Sequence, residues 1–275
     1  MNKIHPTAII DDTADIHPSV EIGPFSIVEA GTCIGEGCRI ASNVRIYSGT
    51  LLGRNNRVCH GATLGCEPQD LTFSQANSKP LVIGDDNQFK EGVNISRGVK
   101  TDQGTIIGNG NYFMGDFHAG HDCVIGNNNV LGHSSVLAGH VTVGDNSFIS
   151  GLVAIHQFTY IGNNVMIAGC AKIVKDIPPY TIGDGNPARV AGINSVGLRR
   201  AGFPPEVRSA IKLAYKRIYQ SGENIGQAVA GLESEPQTRE VTEIIRFFQR
   251  SRRGVTAYRR TLTSSSAQPG AKRGA

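Results

Sequence analysis

The feature that most constrains this chain is a hydrophobic repeat with a period of six residues. From Ile4 to Leu64, and again from Ile83 to Ile173, 26 of the 27 positions sampled at this step are apolar, although apolar residues form only 39% of the sequence. A step of six fits neither an amphipathic helix nor an alternating strand. It is typical of a parallel β-helix, in which each hexapeptide forms one short flat side and a corner, with the apolar residue inward.

Two interruptions divide the repeat. Residues 65–82 shift its phase by one residue, and residues 96–106 keep the phase but contain the one polar position in the series, Thr101. We predict that both segments are loops ejected from the coil. Loops on a rigid scaffold often carry functional residues.

The repeat ends near residues 176–180, where two adjacent prolines cannot continue a hydrogen-bonded ladder. We predict a β-helix domain over 1–184, a basic helical domain over 185–255 and a disordered tail over 256–275. Two helices are expected, at about 204–222 and at about 238–252. Their inward residues would be Val207, Ile211, Ala214 and Ile218 in the first, and Val241, Ile244, Ile245 and Phe248 in the second.

Charge is divided unevenly between these parts. Residues 1–184 hold 11 Lys and Arg against 17 Asp and Glu, a net charge of −6, whereas residues 185–275 hold 16 against 6, a net charge of +10. A basic end domain is suited to an acidic partner or a phosphate-bearing ligand, although a solvated helical surface has the same composition.

Several protein classes are excluded by missing patterns. There is no apolar run of signal-peptide or membrane-span length, and the six cysteines form no CxxC pair, which favours a reduced cytoplasmic protein. The absence of a P-loop, a GxGxxG fingerprint and a GxSxG elbow argues against ATP, NAD and a serine nucleophile. We therefore expect no cofactor, no metal, no nucleic-acid partner and no integral membrane segment.

A cluster of histidines interrupts the plain repeat. The stretch HAGHD places His118 and His121 beside Asp122. If three hexapeptides close one coil of 18 residues, positions 18 apart stack about 4.8 Å above one another. This predicts that His118, His121, His140 and His156 fall along one edge within about 10 Å, with Gln157 two coils above His121. A histidine of near-neutral pKa beside a carboxylate is suited to general base catalysis.

The motifs HAGHDC at 118–123 and GLVAIHQF at 151–158, with the 65–82 loop and the basic helical end, resemble one family over nearly the whole chain. The chain is similar to the UDP-N-acetylglucosamine O-acyltransferases of lipid A biosynthesis. That resemblance implies a left-handed parallel β-helix of hexapeptide repeats with a smaller C-terminal helical domain, and a homotrimer with sites between subunits. It also implies transfer of an (R)-3-hydroxyacyl group from acyl carrier protein to the 3-hydroxyl of the UDP-sugar.

The resemblance also assigns roles to individual residues. His121 matches the general base, with Asp122 orienting it, and Gly151 is a candidate oxyanion donor. Gly169 and Pro187 match the end of the acyl groove, where they would set chain length, and an open Gly169 predicts a preference for twelve to fourteen carbons. The remaining substrate-binding positions are Gln69, Asp70, His118, Gly139, His140, His156, Gln157, Asn194 and Arg200.

The sequence departs from the family pattern at four positions. Thr72 stands where the loop would carry a lysine, so a cation expected near the substrate is missing, and Pro187 replaces a histidine. Val196 replaces an acidic residue, and Ala201 replaces the second arginine of a pair. These changes touch nucleotide or acyl recognition. They leave open an N-acyltransferase of the same fold acting on a 3-amino UDP-sugar.

One alternative belongs to a different class. A γ-type carbonic anhydrase has the same fold and holds zinc through histidines at a subunit interface, and His118, His121 and His140 nearly supply such ligands. The spacing in HAGHD does not match that family. Metal content and acyl transfer separate the two hypotheses.

Overall fold

The computed structural model describes residues 3–259, and the predicted parallel β-helix accounts for most of them. The first strands are Ile9–Ile10 (β1), Asp15–Ile16 (β2), Glu21–Ile22 (β3), Ile27–Val28 (β4), Cys33–Ile34 (β5), Arg39–Ile40 (β6), Arg45–Ile46 (β7), Thr50–Leu52 (β8), Arg57–Val58 (β9) and Thr63–Cys66 (β10). Between the two interruptions lie Leu81–Ile83 (β11), Gln88–Phe89 (β12) and Asn94–Ser96 (β13).

The upper coils are built from the same short strands. They are Thr105–Ile107 (β14), Tyr112–Phe113 (β15), His118–Ala119 (β16), Val124–Ile125 (β17), Val130–Leu131 (β18), Val136–Leu137 (β19), Thr142–Val143 (β20), Phe148–Ile149 (β21), Ala154–Ile155 (β22), Tyr160–Ile161 (β23), Met166–Ile167 (β24) and Lys172–Ile173 (β25). A terminal hairpin, Thr181–Gly185 (β26) and Ala188–Ile193 (β27), follows them.

Every third strand joins the same parallel sheet, so the coil has three flat faces. Face 1 contains β1, β4 and so on to β25, face 2 runs from β2 to β23, and face 3 runs from β3 to β24 and ends in the β26–β27 hairpin. We name the corners edge 1–2, edge 2–3 and edge 3–1 after the faces they join. The predicted boundary between 184 and 185 falls inside the hairpin, which extends face 3.

The interior is a stack of the repeat's apolar residues. From Ile22 to Ile173 the six-step positions are buried, with Thr101 as the exception, and the rings of Phe89 and Phe113 stack at 4.7 Å. At edge 2–3 the buried amides of Asn56, Asn87, Asn111 and Asn129 form a ladder of hydrogen bonds at 3.0 Å. This ladder supplies partners for corner groups that burial would otherwise leave unpaired.

Both interruptions are loops ejected from the coil, as predicted, and the register explains their phases. Leu52 pairs with Ile83, a step of 31 residues, and Ile83 pairs with Ile107, a step of 24. The coil that carries the first insertion (67–80) is therefore longer than an 18-residue coil by two hexapeptides and one residue, and the coil that carries the second (97–104) is longer by one hexapeptide. Thr101 lies in the second insertion and is exposed, so it is not a core position.

The C-terminal part contains four helices among the described residues: Ser195–Arg200 (α1), Pro205–Gln220 (α2), Ile225–Glu233 (α3) and Arg239–Arg250 (α4). Helices α2 and α4 match the two predicted ones, and their predicted inward residues are buried or partly buried. Helices α1 and α3 were not predicted. Both are short, and the side chains of Asn194 and Asn224 cap their N-termini.

The end of the described chain returns to the coil. Residues 251–259 are ordered, with Thr256 buried and its N–H donating to the carbonyl of Asp176 at 2.8 Å. The predicted tail at 256–275 is therefore wrong for residues 256–259, because Thr256 and its neighbours complete hydrogen bonds at the top of the coil. Residues 260–275 lie outside the described part of the chain.

Candidate active site

Most of the predicted catalytic and substrate-binding residues lie on one edge of the prism. Both insertions leave the coil between a face 1 strand and a face 2 strand, so they project at edge 1–2. The corners 120–123, 138–141 and 156–159 stack above them on the same edge. The site is therefore built from one edge of the repeat, with the two loops beneath it.

His121 and Asp122 form a hydrogen-bonded pair in this edge. His121 Nδ1 lies 2.7 Å from Asp122 Oδ2. An ionised carboxylate has no hydrogen to donate, so Nδ1 carries a proton and donates it to Asp122. The imidazole is thus oriented with Nε2 away from Asp122, toward the insertion loops.

Asp122 is held in the ionised state by many donors. The main-chain N–H groups of Val99, Lys100 and Thr101 donate to its carboxylate at 2.9–3.2 Å, and the Thr101 hydroxyl donates at 2.7 Å. Burial raises the pKa of this carboxyl, but the hydrogen bonds from His121 and Thr101 outweigh it and lower the pKa to about 2. Asp122 is a fixed negative charge at every physiological pH.

His140 lies against this pair. Its Nε2 is 3.8 Å from Asp122 Oδ2, and its ring meets that of His121 edge-on at 5.1 Å. Phe158 stacks on its other side at 4.5 Å. Burial lowers the pKa of His140 despite the attraction of Asp122, so the ring is neutral near pH 7. The prediction that His140 lies one coil above Asp122 is confirmed.

Asp70 reaches the site from the first insertion. Its Oδ2 lies 3.7 Å from His121 Nε2, on the side of the ring opposite Asp122. The N–H and hydroxyl of Thr72 both donate to its Oδ1 at 2.8 Å and hold its pKa below the ordinary value, with a further contribution from Lys100. Gln69, next to it, is exposed.

Because Gly139 has no side chain, it leaves room for the ring of His121. A Cβ built on Gly139 would lie 2.6 Å from His121 Nε2 and 2.8 Å from Cε1, closer than real Cβ atoms approach. Gly139 lies one coil above His121, and the ring of His121 packs against it. A side chain at position 139 would therefore displace this ring.

The remaining predicted residues of edge 1–2 lie further from this pair. His118 projects from β16, with Nδ1 2.7 Å from Asn94 Oδ1, and its burial lowers its pKa. His156 and Gln157 are exposed, and the ring of His156 contacts only the carbonyl of Gln157 among the hydrogen bonds of the described residues. Of the four predicted histidines, the structure brings His121 and His140 into contact.

Other predicted residues lie on the two other edges of the prism. Gly151 and Gly169 occupy successive corners of edge 3–1, and Pro187 is exposed in the turn of the β26–β27 hairpin. Asn194 lies over edge 2–3, where its amide donates to Asn164 and its oxygen caps α1, and Arg200 is exposed at the end of that helix. A single chain does not bring these residues to His121.

Comparisons with known proteins identify the family of this chain. A family model described as UDP-N-acetylglucosamine O-acyltransferase, domain 2, matches residues 176–256. The acyl-[acyl-carrier-protein]–UDP-N-acetylglucosamine O-acyltransferase of Sulfurovum sp. is 38% identical over 262 residues, which cover 95% of this chain and 100% of that one. The enzyme of the same name from Paraburkholderia phymatum is 40% identical over 265 residues, covering 93% and 99%.

Solved structures show the same relationship. The crystal structure of a UDP-N-acetylglucosamine acyltransferase from Bacteroides fragilis matches with a TM-score of 0.88 and 40% identity, covering 91% of this chain and 98% of that one. This chain belongs to the UDP-N-acetylglucosamine O-acyltransferase family. The predicted family is confirmed, and so is the predicted fold class, a left-handed parallel β-helix with a smaller helical part. No described helix of this acyltransferase is long and apolar enough to span a membrane.

The structure corrects the prediction that this acyltransferase lacks a cation near Thr72. Lys100 Nζ lies 3.0 Å from Thr72 Oγ1 and 3.5 Å from Asp70 Oδ2. The cation comes from the second insertion instead of the first. Sequence reasoning missed it because the hexapeptide period does not report how far an ejected loop reaches.

Three further residues of this acyltransferase site were also missed. Asn94 binds His118, Phe158 stacks on His140, and Arg97, only 3% exposed, donates to Ser78 and to the carbonyl of Gly65 and so ties down the first insertion. The one available signal was an arginine at the first position after β13, where the second insertion begins. Asn94 and Phe158 occupy ordinary outward and corner positions of the repeat.

The alternative of a zinc site fits this acyltransferase poorly. His118 is bonded to Asn94, and the group close enough to share an ion is His121, Asp122 and His140, with ligand atoms within 4.8 Å of one another. The lone pairs of Asp122 are already occupied by peptide N–H groups and by the Thr101 hydroxyl. His121 Nδ1 donates to the same carboxylate, so only Nε2 of this ring could bind an ion, and Asp122 has no free lone pair to complete the group.

Proposed function

We propose that this chain transfers an (R)-3-hydroxyacyl group from acyl carrier protein to the 3-hydroxyl of UDP-N-acetylglucosamine, with His121 as the general base. The observation that supports this most directly is the hydrogen bond from His121 Nδ1 to the buried, ionised carboxylate of Asp122. Both relatives compared above bear the O-acyltransferase name, which favours the hydroxyl over a 3-amino acceptor.

The reaction needs one proton acceptor and one leaving thiolate. His121 Nε2 takes the proton of the sugar 3-hydroxyl as its oxygen attacks the thioester carbonyl carbon. The tetrahedral intermediate collapses, the carbon–sulfur bond breaks, and the imidazolium returns its proton to the phosphopantetheine thiolate. Asp122 stabilises the imidazolium between these steps, in the way that a buried carboxylate supports a catalytic histidine.

The neighbouring groups have complementary roles in this proposal. Asp70 and His118 bind the sugar on the open side of His121, and Gln69 borders the same loop. His140, neutral because it is buried, lies beside the reacting thioester with Gly139. His156 and Gln157 border the pantetheine path one coil higher, and the Gly151 N–H donates to the developing oxyanion.

We include a homotrimer in the proposal. The acyl-groove residues Gly151 and Gly169 lie on edge 3–1, the nucleotide-site residues Asn194 and Arg200 belong to the α1 region over edge 2–3, and the base lies on edge 1–2. A cyclic assembly that sets one chain's edge 3–1 against the next chain's edge 1–2 unites the acyl groove with the base, since a head-to-tail interface closes into a ring. Large apolar side chains exposed at the same height support this contact, namely Val124, Val136, Phe148, Leu152 and Phe158.

We also propose an acidic carrier protein as the acyl donor and the cytoplasm as the compartment of the reaction. Residues 185–275 carry a net charge of +10, which suits docking of an acidic carrier protein. All six cysteines are unpaired, which is typical of the reducing cytoplasm, where we place the reaction.

The test is His121→Ala, assayed for transfer from 3-hydroxyacyl carrier protein to UDP-N-acetylglucosamine. We expect kcat to fall by roughly 10²-fold or more, the usual contribution of a positioned base. The melting temperature should stay near that of wild type, because His121 is a corner residue outside the stacked core. His17→Ala is the matched control, since His17 is an exposed corner histidine bonded to Ser19 in the N-terminal coils. Retention of more than about a tenth of the wild-type kcat would reject His121 as the base.

A further inference from the structure

Lys100 joins the two insertions at the opening of the site. Its Nζ lies 3.5 Å from Asp70 Oδ2 and 3.0 Å from Thr72 Oγ1. Its main-chain N–H donates to the carboxylate of Asp122 at 3.1 Å. One residue thus contacts both carboxylates that flank His121, through different groups.

We propose that Lys100 is a positioning and specificity-determining residue for the nucleotide-sugar acceptor. Its ammonium group holds Asp70 beside the base and offsets its charge, so that a ligand carrying a diphosphate can approach His121. This inference rests on the proposed function, because it concerns the acceptor of that reaction.

The balance of charges supports this role. Asp70 and Asp122 both have pKa values below the ordinary range and are ionised, and Lys100 is the lysine or arginine that the structure places against these carboxylates among residues 3–259. Without it, the opening would carry two negative charges and would repel a diphosphate. The Lys100 side chain is 49% exposed, so it can also meet the incoming ligand directly.

The contacts around Asp70 allow the effect of the Lys100 charge to be distinguished from an effect on the fold. Asp70 keeps both of its hydrogen bonds from Thr72 when Lys100 is removed, and Arg97 continues to tie the first insertion to the coil. Loss of the ammonium should therefore affect acceptor binding more than it affects the fold or the chemical step. A lysine at position 72 would place its own ammonium in the same region, because Thr72 Oγ1 already contacts Lys100 Nζ.

The experiment compares Lys100→Met with Lys79→Met. Lys79 is the matched control, because its Nζ also joins the two insertions, by donating to Asp102 at 2.9 Å, without contacting Asp70. For Lys100→Met we expect a roughly tenfold rise in KM for UDP-N-acetylglucosamine, the scale of one charge-assisted contact. The same rise is expected in the Kd measured by calorimetry without donor. The KM for acyl carrier protein and the melting temperature should not change, and Lys79→Met should behave as wild type.

Two rescue variants test whether the charge itself is responsible. Lys100→Arg should stay close to wild type, and the double variant Lys100→Met with Thr72→Lys should recover most of the acceptor affinity. The inference is overturned if Lys100→Met leaves the acceptor KM within about twofold of wild type, or if Lys79→Met raises it equally. It is also overturned if both substrates are affected alike, or if neither rescue works. A wild-type protein without any transfer to UDP-N-acetylglucosamine would instead overturn the proposed function, and this inference with it.

Discussion

Asp122 is the residue on which the geometry of the site most directly depends. It is 3% exposed and its main chain has φ 57, a left-handed conformation that Asp and Asn tolerate better than most residues. A buried carboxylate is stable only when donors surround it, and here they come from the second insertion. The same residue therefore orders the loop and orients the base.

Asp122→Asn tests how much the charge of Asp122 contributes to stability. The folded-state pKa of Asp122, about 2, lies below its ordinary value of 3.8. Its stabilising contribution, about 2 kcal/mol for a shift of this size, is therefore present above pH 4 and lost as the pH falls from 4 toward 2. We expect wild type to be more stable than Asp122→Asn at pH 6, with a difference that shrinks across this window. Denaturant unfolding at pH 6, 4 and 3 measures it, and a pH-independent difference would contradict the assignment.

At the scale of elements, the site is one corner repeated in successive coils. Asp122, His140 and Phe158 are 18 residues apart and all have left-handed main chains, with φ values of 57, 61 and 62. The preceding positions, His121, Gly139 and Gln157, form a parallel stack. Because the strands pair in strict register, the side chain at each corner is limited by the space that the residues one coil above and one coil below leave for it.

Gly139→Ala tests this crowding. The new Cβ would lie 2.6 Å from His121 Nε2, so the ring must move away from its position beside Asp70. We expect kcat to fall by roughly tenfold or more, since the base depends on placement within a fraction of an ångström. Gly192→Ala is the control, because a Cβ there meets nothing within 4 Å. Equal activities of the two variants would show that His121 is not confined by Gly139.

Gly169→Met tests the predicted acyl ruler. A Cβ on Gly169 meets only Gly151 O at 3.6 Å and Ser150 Cβ at 3.9 Å, so a side chain fits without moving the main chain. We expect wild type to prefer chains of twelve to fourteen carbons and the variant to prefer shorter ones. A chain two methylenes too short should cost wild type about 1.6 kcal/mol, or roughly fifteenfold in kcat/KM. Competition between C10, C12 and C14 donors measures this, and a wild-type preference for C10 or an unchanged preference in Gly169→Met would reject the position as the ruler.

At the scale of the whole molecule, the proposed reaction requires an assembly of more than one chain. Residues for the base, the acyl chain and the nucleotide lie on three different edges of one prism. Exposed apolar side chains on the coils around residues 124–158 give edges 1–2 and 3–1 a surface that favours burial.

Leu152→Asp tests the assembly. Leu152 is 62% exposed and has φ 58, a main-chain conformation that Asp tolerates better than Leu, so the chain's own fold is not strained. A carboxylate buried between chains should weaken the trimer and the activity together. Wild type should have three times the chain mass of 29.3 kDa by light scattering, and Leu152→Asp should shift toward single chains. Leu213→Asp, on exposed α2, should keep the wild-type mass, and a Leu152→Asp trimer of undiminished stability would argue against this interface.

The sequence by itself determined the coil, the stacking of His140 above Asp122 and the ejection of both loops. Each follows from a short-range rule, a period of six and a coil of 18, that holds wherever strands pair in register. The same rules could not place Lys100 or Arg97, because an ejected loop leaves the repeat and its course depends on contacts made only after folding. The tertiary structure alone decided that the second insertion supplies both the donors for Asp122 and the cation for Asp70. It also decided that Asn194 lies over another edge than His121, because the chain has left the six-residue period after Ile173 and its course there depends on tertiary contacts.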